Sequence, residues 1–168
     1  MKLTWMGNSR ELIRSLIYYA NMTTRNLSAT FPPALGVELT KCEYQVLEYV
    51  VEFEDERRIM TDIANGLGLI QSVVTRSAKH LVSMGLVEKY RMSGNRKNIV
   101  LRPTERGREV YLEIKNLYVE PVFAQFLSYM ESLPPERAAE FTEAINALNA
   151  PWLKFISRER QELEIIED

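Results

Sequence analysis

The 168-residue sequence predicts a mainly α-helical fold with one small β-hairpin, and three neighbouring stretches predict it. The first is Leu69–Gly85, a short turn, a helix and a glycine stop. At the helical period Val74, Ala78, Leu81 and Val82 fall on one side, the spacing of a buried stripe. Ser72, Thr75, Arg76, Lys79 and Ser83 fall on the other, with hydroxyls, cations and no carboxylate. An ordinary solvated face mixes charge signs, so this one suits a polyanion. The second stretch, Met60–Gly68, predicts a short helix starting at Thr61 or Asp62, with Ile63, Ala64 and Leu67 inward. Gly66 and Gly68 then let the chain turn sharply. The third follows Gly85. Leu86–Met92 alternates as a strand, Ser93–Lys97 is a turn tipped by Arg96 and Lys97, and Asn98–Leu101 returns as a second strand. Two short helices about a tight turn, followed by a basic-tipped hairpin, make a winged helix-turn-helix, whose second helix enters a DNA major groove.

The run from Leu39 to Gly107 resembles the MarR (multiple antibiotic resistance regulator) family of bacterial transcription factors. The carrying pieces are Leu39-Thr40, Ile63-Ala64 with Leu67-Gly68-Leu69, and Val74-Thr75-Arg76. They continue through Leu81 to Gly85-Leu86-Val87, then Asn95-Arg96-Lys97 and Thr104-Glu105-Arg106-Gly107. The chain departs from the family pattern at Asn95, where relatives usually carry an acid before the wing arginine. The resemblance implies a homodimeric DNA-binding regulator, with ligand pockets between the dimer and reading regions.

Charge distribution agrees with the recognition face. The net charge is −2, yet Met60–Arg108 holds nine Lys/Arg against three acids. The remainder carries 12 cations and 20 acids, so a basic module sits in an acidic chain, the footprint of local phosphate binding. No apolar run approaches the roughly 20 residues of a membrane span, and Met1–Trp5 has no signal-peptide pattern. One cysteine cannot form an internal disulfide, which suits a reducing cytoplasm. With His80 and Cys42 the sole members of their types, neither a zinc site nor a cofactor site is expected.

Outside the reading region, a first helix is expected from about Asn8 to Ala29, capped by Asn8 or Ser9 and ended by Phe31-Pro32-Pro33 in an extended link. A second runs from Thr40 to about Glu52, opened by the capping-box pair Thr40 and Glu43. A long helical pattern after Thr104 reaches about Ser132, with Pro121 kinking or splitting it. Helix restarts near Pro134-Pro135, with Phe141, Ile145 and Leu148 inward, and a further helix follows Pro151 with Trp152, Phe155 and Ile156. The organisation expected is 1–36 for dimerisation, 37–107 for DNA reading and 108–168 for dimerisation. The outer helices carry more apolar stripe than a small winged-helix core can cover, and a two-fold dimer would use it to read a palindrome with two helices about 34 Å apart.

The candidate DNA contacts are Gln71, Ser72, Thr75, Arg76, Lys79, Arg96 and Lys97. Ser72, Thr75 and Arg76 lie near the helix start, where Arg76 suits guanine bidentately. Gln71 either caps the helix or meets a phosphate, and Lys79 suits phosphate. Arg96 suits the minor groove, with Lys97 on the adjoining backbone. The alternative for the same face is a winged helix that binds an acidic protein. His80, between the two faces, takes either a structural or phosphate-contacting role or that of a pH switch. Cys42, in the first turn beside Lys41, is either a quiet half-buried thiol or a redox sensor. Tyr18, Tyr19, Met22, Arg25 and Tyr44 are either core or the lining of a pocket for a small aromatic or acidic effector. No nucleophile–base pair, phosphate loop or paired-acid motif points to an enzyme.

Overall fold

A computed structural model describes residues 4–26, 29–92 and 95–159, without side chains at 4–5, 92, 95–97 and 152–159. After a 3-10 turn come α1 (Arg10–Arg25), α2 (Lys41–Glu52), α3 (Met60–Leu67) and α4 (Gln71–Ser83). The hairpin β1 (Val87–Met92) and β2 (Asn95–Pro103) follows, then α5 (Glu105–Ile114), α6 (Glu120–Glu131) and α7 (Pro135–Glu159). The chain divides into two compact units, Met1–Glu120 and Pro121–Asp168.

In the first unit the core lies between α2, α3, α4, α5 and the base of the hairpin. Leu47, Ile63, Val74, Leu81, Leu86 and Ile114 are all but inaccessible there. The helix stripe read at Val74, Ala78 and Leu81 is this core face, while Val82 is half-buried at its edge. The link after α1 is not simply extended. Ala34 and Val37 exchange both backbone hydrogen bonds at 2.8 Å around Leu35 and Gly36, a tight turn that seats Ala34, Val37 and Leu39 in the core. Thr40 then opens α2 as expected. Its hydroxyl accepts from the Glu43 N–H (3.2 Å), and the Glu43 carboxylate accepts from the Thr40 N–H (2.9 Å).

Several boundaries move. α1 starts at Arg10 after Ser9, whose side chain makes no capping bond, and ends at Arg25, where the Asn26 amide donates to the Met22 carbonyl at 2.8 Å. α3 starts at Met60, because Asp62 acts from the third position and accepts from the Ile59 N–H at 2.9 Å. Only Gly68 makes the turn, with φ +64°. Gly66 remains helical for another reason: a Cβ there would collide with the Tyr49 ring. Asn95, Arg96 and Lys97 lie in β2 rather than in the turn. The register steps from Arg91↔Ile99 to Met92↔Asn95, so extra β2 residues loop out at the far end of the wing. Ile59 adds a single bridge to Val100, a rudimentary third strand.

After α5 the helix winds wider over Lys115–Val119, the Glu120 N–H reaching back to the Lys115 carbonyl. This split falls just before Pro121, whose missing N–H and bulky ring disfavour regular winding through the preceding turn. In the second unit, α7 passes through Pro151 as one 25-residue helix, so no separate helix begins there. Phe141 and Ile145 are half-buried and Leu148 is exposed. The side chains of Trp152, Phe155 and Ile156 lie outside the described residues.

Candidate nucleic-acid interface

The helix-turn-helix is α3, the Gly68 turn and α4. Ile70, which has no side-chain oxygen, occupies the cap position of α4, and Gln71 is its first, half-buried residue. Ser72, Thr75, Arg76, Lys79 and Ser83 are exposed, as the helical projection requires. The Thr75 hydroxyl donates to the Gln71 carbonyl at 2.8 Å and retains lone pairs for an outside donor. On the inner side Val74, Ser77, Ala78 and Leu81 are buried, which fixes the roll of the helix. Arg96 and Lys97 lie in the looped-out part of β2, and their side chains are outside the described residues.

The base of the wing is locked to α5. Thr104 caps α5 by accepting from the Gly107 N–H (3.0 Å) and donates to the Gly85 carbonyl (2.7 Å), where the α4 exit turns with φ +69°. The Thr104 N–H also donates to the Leu86 carbonyl at 3.0 Å. Helix exit, hairpin and α5 therefore share one polar joint.

A contact that sequence reasoning missed joins α2 to α4. The second oxygen of Glu43 accepts from Nδ1 of His80 at 2.5 Å. Glu43 and His80 are 37 residues apart, so nothing local signals the pairing. Burial raises the Glu43 pKa, but the bonds from the Thr40 backbone, His80 and the Thr40 hydroxyl outweigh it and hold the carboxyl below its ordinary 4.5. The depressed value favours the fold above pH 4.5, and that contribution is lost as pH falls through the folded-state value. Glu43→Gln is expected to flatten the loss of stability below pH 4.5, as read from urea midpoints in an acid series; an unchanged slope refutes it.

Next to this pair, half-buried Cys42 lies 3.9 Å from the hydroxyl of buried Ser77, a long sulfur contact. The five residues of the expected effector pocket are placed differently. Tyr18, Tyr19, Met22 and Arg25 are exposed along α1, which has no buried residue. Tyr44 is buried, edge-to-face with Phe31 (5.3 Å) and stacked on Tyr111 (5.8 Å), and its hydroxyl donates to Glu48 at 2.9 Å. Burial and the neighbouring Glu48 raise the Tyr44 pKa, while burial raises that of Glu48 against the Tyr44 bond. Among the described residues no group of three His, Cys, Asp or Glu side chains is placed to hold a metal.

Two helices about a glycine turn, a carboxylate-free outer face and a hairpin wing define the winged helix-turn-helix class. No protein-family model and no curated protein matches the chain. Solved structures do. The transcriptional regulator BldR from Sulfolobus solfataricus matches with a TM-score of 0.63 and 19% identity, covering 90% of this chain and 99% of BldR. The Lactococcus lactis regulator ZitR, a zinc-responsive MarR family member, matches at 0.55 and 16% identity over 85% of this chain and 98% of ZitR. Wild-type ZitR in complex with DNA matches at 0.56 and 16% identity over 88% and 99% of the two chains. This chain has the fold of MarR-family regulators. Among the described residues, no helix is long and apolar enough to cross a membrane.

Proposed function

We propose that the chain is a cytoplasmic, sequence-specific DNA-binding transcriptional regulator without enzymatic activity. It acts as a homodimeric repressor of the MarR type on a palindromic operator. The supporting observation is the outer face of α4, where Ser72, Thr75, Arg76 and Lys79 are exposed without an acid among them, on a helix anchored by a buried inner stripe. Arg76 and the hydroxyls read bases, Lys79 and Gln71 meet phosphate, and Arg96 and Lys97 carry the wing to the adjoining groove. A regulator solved on DNA with the same fold supports this assignment.

Pairing through 1–36 and 108–168 is supported by exposed apolar side chains in both segments. On α1, Leu12, Ile17 and Met22 are exposed; on α6, Val122, Phe126 and Leu127 are. A small aromatic or acidic effector releases the operator in this reading, and Arg25, exposed on α1, suits its carboxylate.

The test is binding of the purified protein to DNA flanking its own gene, over a salt series with random DNA as competitor. The expected result is a dimer-sized complex that survives competitor and weakens steeply with salt. Affinity no better than for random DNA overturns the reading.

A further inference from the structure

Ile70 opens α4 without doing what a residue there ordinarily does. It holds the cap position, where serine, threonine, aspartate or asparagine would accept from a free amide, and its side chain makes no capping bond. Isoleucine is among the least favourable residues at such a position. Nor does Ile70 stabilise the core. Its side chain is 63% exposed, while the adjacent Leu69 supplies the apolar anchor and packs against the core. The main chain around it is nevertheless held on both sides. The Leu69 N–H donates to the Ala64 carbonyl at 2.9 Å, and the Ile70 carbonyl accepts from the amides of Val73 (3.0 Å) and Val74 (3.3 Å). A branched apolar side chain is thus presented on fixed backbone at the leading end of α4, just before Ser72. We propose that Ile70 reads the C5-methyl group of a thymine in each half-site of the operator, setting sequence preference by apolar contact. This rests on the DNA-reading function proposed above.

A reading helix enters the major groove with its N-terminal residues at the base edges. Most groups displayed there are hydrogen-bond donors and acceptors, and the thymine methyl is the one that gains from an apolar neighbour. Isoleucine has no polar atom to offer. Against guanine, adenine or cytosine it would displace water from a donor or acceptor and leave that group unpaired. Against thymine it covers a methyl group with its own branched surface. Burial of one methyl corresponds to about three- to five-fold in affinity per half-site. The neighbouring residues divide the work in the same way. Ser72, Thr75 and Arg76, exposed further along α4, carry hydrogen-bonding groups, and Ile70 carries none.

The experiment first selects the full chain's preferred duplexes from a random pool. Each thymidine of the selected sequence is then replaced by deoxyuridine, which lacks only the methyl group. Both duplexes carry the same phosphates, so counterion release cancels in the ratio of affinities. The expected result is a loss of about three- to five-fold per half-site at one thymine, absent in Ile70→Ala and kept in part in Ile70→Val. Ile70→Ser separates reading from folding. Its hydroxyl can cap α4, so its urea midpoint should rise while its response to deoxyuridine disappears. A midpoint lowered in all three variants would make Ile70 a structural residue and overturns the proposal. Specific binding in which deoxyuridine costs nothing at any position overturns it too, and leaves the DNA reading in place. So does a penalty that persists in Ile70→Ala, which would place the effect in DNA shape or in another side chain. Enrichment of no sequence from the pool overturns the DNA reading, and the role of Ile70 with it.

Discussion

Gly107→Ala is expected to lower the free energy of unfolding by about 3 kcal/mol. The expected loss originates in the joint at Thr104. Its side chain ties the start of α5 to the turn at Gly85, and its N–H bonds the Leu86 carbonyl. The first turn of α5 is thereby pressed onto the backbone, and a Cβ on Gly107 would collide with the Leu86 carbonyl oxygen. The obstacle is main chain, held by the α4 exit on one side and the β1–β2 ladder on the other, so it cannot swing away. Helix propensity alone predicts the opposite sign, a gain of about 1 kcal/mol for alanine over glycine. Urea unfolding therefore separates the accounts: a lower midpoint at unchanged slope supports the clash, and a raised midpoint refutes it. Gly66→Ala is the informative comparison. There the Cβ meets the ring of Tyr49, a side chain that can give, and the loss should be smaller.

These two glycines also mark what a sequence can and cannot tell. Gly66 and Gly68 look like equal halves of a turn when read along the chain. Only the packing of Tyr49 distinguishes the helical glycine from the one with φ +64°. Features governed by neighbours in sequence were legible. The inner stripe of α4 follows from the helical period, and the Thr40–Glu43 capping box from a four-residue rule. Features governed by contacts across the fold were not. The Ile59–Val100 bridge and the burial of the Ala34–Val37 turn depend on distant partners. So does the bond from Glu43 to His80, of which the sequence offered only the capping half. Pro151 differs again: the local rule for helix breaking predicts a new start there, yet α7 continues through it as one helix. The exposed, acid-free face of α4 was therefore recognisable from pattern, while the Glu43–His80 contact beside it was not.

On the function proposed here, Arg76→Ala has the largest effect of any reading-face substitution. It is expected to cost about 1–3 kcal/mol at one operator position and to relax preference there. Arg76 is exposed in the second turn of α4, between buried Val74 and buried Ser77. The backbone that carries it is thus held on both sides while the guanidinium is free to reach outward. A guanidinium can engage the two acceptors of guanine at once, and alanine can engage neither. Lys79→Ala removes another exposed cation one turn later, but an ammonium on phosphate carries no base information. It should weaken all sequences about equally and reduce the salt slope by about 1. The measurement is affinity for an operator set substituted at every base pair, at two salt concentrations. A base-localised loss for Arg76→Ala and a uniform one for Lys79→Ala support the roles. Equal, sequence-blind losses would mean that α4 lies on the DNA without reading it, and the specificity would then have to come from the wing or from DNA shape.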